Sequence, residues 1–245
     1  MGCNLSKKKQ SPRTIRVSPK KQATPVAPPV IVDPPPPKHG NSCNMPFGAD
    51  QGPIAIGRLQ AEPNGKKAVV AFGAADARGS HDECNIFFTW DGGATAALTL
   101  RGVKYKPVQF HFHTPSEHTI EGAQFPLELH VVHVAPNDRW AVVSYVYQYG
   151  ETEDAFLKQV WPSLPQLSTI QAATAVGRID GSVLVQPKAG YYQYTGASGD
   201  GVEWVVAQRP RIATPGQVAS LFGALRASNA RPTQPVTGRT VTLLC

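Results

Sequence analysis

Short runs of β-branched, aromatic and other apolar residues recur along the chain from residue 68 onward, separated by turns rich in Gly, Pro, Asn and Asp. The pattern predicts strands over Ala68–Phe72, Ile86–Trp90, Ala97–Leu100, Val108–His113, Leu127–Val134, Ala141–Tyr147 and Trp204–Ala207. Helical character is confined to Glu153–Val160 and Pro215–Ala227. The second has Thr214 placed as N-cap and Pro215 at the first helical position, where a missing N–H leaves no hydrogen bond unmade. The expected fold is mainly β with a few short helices. It forms a single domain of about 200 residues, enough for a sizeable core. No internal repeat is visible.

The pattern stops upstream of residue 45, and the charge changes with it. Residues 1–40 carry Lys7, Lys8, Lys9, Arg13, Arg16, Lys20, Lys21 and Lys38 against Asp33 alone, which accounts for the whole net charge of +7. The remainder is formally neutral, with no basic aromatic-rich face, so nucleic acid is not an expected partner. The chain opens Met1-Gly2-Cys3-Asn4-Leu5-Ser6 and continues with three lysines. Removal of Met1 exposes Gly2, and Ser6 sits where an N-myristoylation signal wants Ser or Thr. Cys3 is a candidate for palmitoylation. One myristoyl chain binds membranes only marginally, and a second chain or a polybasic patch is needed for stable anchoring. Each Lys or Arg near an anionic leaflet adds about 1 kcal/mol.

Residues 1–10 thus read as an anchor signal and residues 11–44 as a proline-rich disordered linker with Pro34-Pro35-Pro36-Pro37 at its stiffest point. Residues 45–245 read as the globular domain. The linker favours extended polyproline II and reads first as a spacer, with an SH3-type partner as the other reading. No apolar run precedes Cys3, so neither a signal peptide nor a transmembrane helix is expected. The expected location is the cytosolic face of a membrane, the plasma membrane foremost. In that reducing setting the four cysteines, Cys3, Cys43, Cys84 and Cys245, are expected as free thiols, with a Cys43–Cys84 disulfide as the other reading, for which nothing local argues.

The chemistry is concentrated in one stretch. Of seven histidines, five lie between positions 111 and 133. On a strand, side chains two apart share a face, so His111 and His113 project together with Phe112 buried behind them. If the run Leu127–Val134 pairs antiparallel with theirs, His130 completes a three-nitrogen cluster. Three histidines around Zn²⁺ leave the fourth tetrahedral position open, the catalytic rather than the structural arrangement. Gln109 and Glu128, each two residues before a histidine, suit the acceptor that a ligating imidazole needs for its other nitrogen.

These residues resemble the zinc signature of the α-class carbonic anhydrases. Further anchors follow in order: Gln51-Gly52-Pro53-Ile54-Ala55-Ile56, Tyr192 to Gly196, Val202-Glu203-Trp204, and Asn229-Ala230-Arg231-Pro232-Thr233-Gln234-Pro235-Val236. The resemblance covers about positions 45 to 243. It implies a large, mostly antiparallel twisted central sheet with zinc at the bottom of a conical cleft. It also implies reversible hydration of CO₂ to bicarbonate and a proton by zinc-bound hydroxide. His111, His113 and His130 would be the ligands, Gln109 and Glu128 would orient His111 and His130, and the Asn229 carbonyl would hold His113. Glu117 matches the family's glutamate that accepts from a gatekeeping threonine. Val132, Val142 and Trp204 match the apolar CO₂ pocket, and core packing is the other reading of Val142 and Trp204. His118 and His133 would be structural hydrogen-bonding residues.

The chain departs from the family in two places that bear on activity. After Gly196 it reads Ala197-Ser198-Gly199-Asp200-Gly201, shorter than the family segment and without its threonine. Glu117 is left without its expected partner, and Ser198 or Thr195 is the available hydroxyl. An unoriented nucleophile loses the contribution of positioning, where small displacements cost ~10²-fold. Asn85 falls near the family's proton-shuttle histidine and cannot carry a proton at neutral pH; His81 lies nearby, most simply as a surface histidine. The alternative function is therefore a catalytically weak or silent carbonic anhydrase-related protein that keeps zinc and acts by binding.

Overall fold

The structure is a computed structural model and describes residues 52–62, 65–82, 84–91, 97–186, 189–196, 201–236 and 238–245. Its strands are β1 (Ala55–Ile56), β2 (Ala74–His81), β3 (Ile86–Trp90), β4 (Leu98–Leu100), β5 (Val103–His113), β6 (Thr119–Ile120), β7 (Ala123–Gln124), β8 (Leu127–Val134), β9 (Trp140–Tyr149), β10 (Gln171–Asp180), β11 (Tyr191–Thr195), β12 (Glu203–Ala207), β13 (Arg211–Ala213) and β14 (Thr242–Leu244). Two α-helices, α1 (Ala155–Val160) and α2 (Pro215–Leu225), and two 3₁₀ segments, Trp161–Leu167 and Gly181–Leu184, complete it.

An 11-stranded sheet carries the domain, in the order β10-β2-β3-β5-β8-β9-β12-β11-β14, with β4 bonded to β5 and β13 to β9. Its pairings are antiparallel except that β9 meets β12 and β13 in parallel. The mainly β, mostly antiparallel architecture expected from the sequence is the one observed.

The sheet separates two apolar clusters. On one face Phe88, Phe110, Phe112, Leu129, Val131 and Tyr145 pack under the helices, which contribute Phe156, Val218 and Leu221. Phe110 stacks on Phe88 with ring centroids 4.9 Å apart and meets Phe156 edge-on at 5.2 Å. The opposite face holds a smaller cluster that includes Val132, Val142, Tyr194 and Trp204. Because β5 alternates, Phe110 and Phe112 anchor it in the larger core while Gln109, His111 and His113 face the smaller one.

Local signals explain the helices. The Asp154 carboxylate caps α1, accepting from the N–H groups of Phe156 and Leu157 at 2.8 and 3.0 Å. Thr214 and Gln217 form a reciprocal capping box at the start of α2. The helix ends at Leu225, two residues before the expected end at Ala227, and its cap Arg226 adopts φ 60°.

Two of the strands that the expectation did not contain, β2 and β10, share one reason. The run Ala68–Phe72 forms only an isolated bridge, Val69 to Thr99, and the regular strand begins at Ala74. β2 (AADARGSH) and β10 (QAATAVGRID) are poor in large apolar residues. They are the outermost strands at one end of the sheet, β10 with a single neighbour, and a weakly buried strand carries little hydrophobic alternation for a sequence to display. The cysteines also depart from expectation. Cys84 is disulfide-bonded rather than a free thiol, whereas Cys245 is free and exposed. Pairing depends on the spatial approach of two Cα atoms, which spacing along a chain does not reveal.

Candidate metal centre

β5 and β8 pair in a register that sets His111 directly opposite His130. This single register, with the i, i+2 relation of His111 and His113, brings three imidazoles together. Their centroids are 4.9, 5.3 and 4.7 Å apart, and each residue is 1 % exposed or less. A slip of one residue would turn His130 to the other face.

Each ring has one nitrogen committed and one bare. His111 Nδ1–H donates to Gln109 Oε1 at 2.9 Å, His113 Nδ1–H to the Asn229 carbonyl at 3.1 Å, and His130 Nε2–H to Glu128 Oε1 at 2.8 Å. These acceptors fix the tautomers. The remaining atoms, His111 Nε2, His113 Nε2 and His130 Nδ1, are buried and have no hydrogen-bond partner. Three buried lone pairs without donors form an expensive arrangement unless something electrophilic binds there. One ligand atom from each histidine lies within 4.8 Å of the others. Burial, reinforced by the neighbouring imidazoles, holds His111 well below the usual histidine range. Burial outweighs the pull of Glu117 at His113 and lowers it to about 4. Both rings are therefore neutral near pH 7, the form that binds a metal. A three-nitrogen set at this spacing fits a divalent ion such as zinc.

Glu128 organises the floor. Its Oε2 accepts the N–H groups of Glu117 and His118 at 2.7 and 2.8 Å. Its Oε1 accepts from His118 Nδ1 at 2.6 Å, from His130, and from the Ser144 hydroxyl. Burial would raise its pKa, but His118 and His130 prevail and hold it well below the carboxylate range. His118 continues the network by accepting from the Tyr194 hydroxyl at 2.8 Å. Ser144 stands opposite His130 in β9, a contact that no sequence motif signals.

Glu117 is fully buried, and its partner is one the sequence reading missed. Arg231 donates its backbone N–H and Nε–H to Oε1, both at 2.8 Å, and Nη2–H to Oε2 at 2.9 Å. Burial acts to raise Glu117, but His113 and Arg231 outweigh it and bring it to about 2. The carboxylate lies 3.3 Å from His113 Nδ1 and 3.8 Å from His130 Nδ1.

The apolar residues lie where the sheet register carries them. Val132 stands opposite Val142, and Val142 opposite Trp204. The Trp204 ring is 5.1 Å from His130 and stacks on Tyr194 at 5.9 Å. Gly52 fits against this pair because it has no side chain: with φ +140°, a Cβ there would lie 2.7 Å from Tyr194 Oη and 2.8 Å from Trp204 Nε1. Half-buried Phe87, read in the sequence only as strand, packs against His111 at 5.5 Å.

Other candidates separate from the cluster. His133 turns to the opposite face, near Phe72, with Nδ1 bonded to the Val131 carbonyl at 2.9 Å. His81 stands opposite Ile86 of the larger core and bonds the Leu167 carbonyl at 2.7 Å. Ser198, Gly2 and Cys3 lie outside the described residues.

Comparison with known proteins agrees with this geometry. The eukaryotic-type carbonic anhydrase family model matches residues 37–244. Alpha carbonic anhydrase 7 of Arabidopsis thaliana is 36% identical over 197 residues, covering 77% of this chain and 68% of that protein. Alpha carbonic anhydrase 8 of the same plant is 37% identical, but the match spans only 43% of its length. Dioscorin dioA3 of Dioscorea japonica is 30% identical over 79% of this chain and 75% of its own. Among solved structures, dioscorin complexed with ascorbate superposes with a TM-score of 0.72 at 29% identity, over 80% of this chain and 86% of its own. The Photobacterium profundum alpha-carbonic anhydrase gives 0.67 at 26% identity, over 80% and 89%. With a match over most of its length and three imidazoles on one face of its central sheet, the chain belongs to the eukaryotic-type carbonic anhydrase family.

Proposed function

We propose that the protein is a zinc-dependent carbonic anhydrase that interconverts CO₂ and bicarbonate at the cytosolic face of a membrane. The observation that carries this reading is the convergence of three buried, partnerless imidazole nitrogens beside an apolar wall. His111 Nε2, His113 Nε2 and His130 Nδ1 would hold zinc, which when bound supplies the Lewis acidity that makes water nucleophilic near neutral pH. Gln109, the Asn229 carbonyl and Glu128 keep each ring in the ligating tautomer. Glu117, fixed as an anion by Arg231, offers an acceptor beside His113 and His130. Val132, Val142 and Trp204 give an uncharged linear molecule a dry surface next to the reacting centre. A silent zinc-binding relative is the second reading, favoured by the shortened segment after Gly196.

Stopped-flow CO₂ hydration separates the two. Zinc-loaded protein is expected to turn over above a His113→Ala blank, and full zinc occupancy with no rate above that blank would leave the binding reading. If Ser198 orients the nucleophile, Ser198→Ala lowers the rate by up to ~10²-fold. An unchanged rate removes Ser198 from the site.

The membrane part rests on Gly2, Cys3, Ser6 and the lysines that follow. Gly2→Ala is expected to shift the full-length protein from the membrane to the soluble fraction of cells. Equal membrane association of the variant would reject the myristoyl anchor.

A further inference from the structure

Cys84 sits in the turn between β2 and β3 and is disulfide-bonded. Among the described residues Cys245 is free, and the second sulfur lies outside the described residues. The turn is held internally: Asp82 Oδ1 accepts the N–H groups of Cys84 and Asn85, each at 2.7 Å, and the Asp82 N–H donates to the Asn85 carbonyl at 3.1 Å.

The residue after Cys84 faces the metal centre. Asn85 is 2 % exposed, and its Oδ1 accepts from Asn229 Nδ2. Asn229 grips β5 on both sides of His113. Its Nδ2 donates to the Phe112 carbonyl at 2.8 Å, and its Oδ1 accepts the Thr114 N–H at 2.9 Å. Its own carbonyl is the acceptor for His113 Nδ1–H at 3.1 Å. Asn229 belongs to neither a helix nor a strand, so these side-chain bonds, with one backbone bond from its N–H to the Thr114 carbonyl at 3.4 Å, fix where that carbonyl points. A continuous path therefore runs from the Cys84 sulfur through Asn85 and Asn229 to a ligand of the candidate metal.

We propose that Asn85 is a positioning residue for His113 and that the Cys84 disulfide is a redox-controlled brace on it. Opening the disulfide loosens the metal site without altering any ligand. A cross-link restricts the freedom of the turn it joins. Its opening takes two electrons and two protons from a reductant of the dithiol class, which becomes a disulfide while Cys84 and its partner become thiols. A domain facing the cytosol meets such reductants, and disulfides there are characteristically transient.

This rests on the metal reading above, and the experiment keeps the two apart. Full-length protein is loaded with zinc, and zinc transfer to a chromophoric chelator is timed. A phosphine reductant opens the disulfide, because dithiols would themselves bind zinc. Asn85→Ala is expected to speed zinc loss about 10-fold, the lower end of what supporting partners of a ligand contribute. Asn229→Asp, which keeps the acceptor for Thr114 but loses the donor to Asn85 and to the Phe112 carbonyl, should lose zinc at least as fast. Cys84→Ser and reduced wild type should lose zinc faster than the oxidised protein, by a smaller factor. Adding Cys84→Ser to Asn85→Ala should give no further acceleration, as expected of two changes on one path. Circular dichroism of each variant confirms that the sheet is intact.

If Cys84→Ser and reduced protein keep zinc as long as oxidised wild type, the brace is wrong. If Asn85→Ala does so, the positioning role is wrong. If wild type takes up no zinc at all, the metal reading fails first and carries this proposal with it.

Discussion

His113→Ala should lower zinc affinity by more than the ~10–100-fold that loss of a supporting partner costs, because it removes a ligand outright. Gln109→Ala, which removes only the acceptor of the His111 ring, should fall inside that range. The argument rests on the bare nitrogens. His113 Nε2 is buried without a donor, and its ring is fixed from the other side by the Asn229 carbonyl at 3.1 Å. The ring is thus oriented for a ligand before any ligand arrives, so removing it sacrifices both a donor atom and preorganisation. Competition against a chelator of known affinity measures the change. Unchanged affinity would show that metal binds elsewhere and would remove the basis for reading these imidazoles as the reactive centre. The double test also ranks the contributions: a Gln109→Ala loss as large as that of His113→Ala would mean that tautomer control, rather than ligand number, sets affinity.

What the sequence showed of this site follows from periodicity. The i, i+2 spacing of His111 and His113 is legible because a strand repeats every two residues, and Gln109 and Glu128 are legible on the same ground. The pairing of β5 with β8 had to be assumed, since nothing local fixes register, and the His111–His130 opposition depends on it. Contributions from outside these strands carry no periodic signal. Asn229 was visible only through a family motif. Arg231, two residues on, gave no sign that it reaches Glu117, 114 positions earlier in the chain. Phe87 was readable as strand but not as to face. The β10 edge was silent because edge strands need little apolar patterning, and the Cys84 disulfide because connectivity is a three-dimensional fact. Sequence therefore displayed the ligands and hid most of what holds them.

The hidden support makes the second large prediction. Arg231→Met should destabilise the fold by about 3–5 kcal/mol, the cost of leaving a buried charge without its partner. Glu117 is 1 % exposed and takes three hydrogen bonds from Arg231, one of them from the backbone N–H, which the substitution retains. Losing the guanidinium strips two charge-assisted bonds and leaves one backbone donor to satisfy an anion in the floor of the site. The Arg231 side chain is itself 23% exposed, so its own desolvation is incomplete and the penalty falls mainly on Glu117. Equilibrium urea unfolding of the metal-free protein measures the loss. The double variant Glu117→Leu/Arg231→Met removes both charges and should recover most of it, since replacing a buried pair by apolar groups of similar size is often near neutral. If Arg231→Met were tolerated within about 0.5 kcal/mol, as surface substitutions usually are, the pair would not be holding Glu117 as an anion. The carboxylate beside His113 and His130 would then have to be neutral or satisfied by another donor. The two measurements bear on one chemical requirement. An acceptor next to a bound metal is useful to hydration only while it stays ionised, and Arg231 is the residue positioned to keep it so.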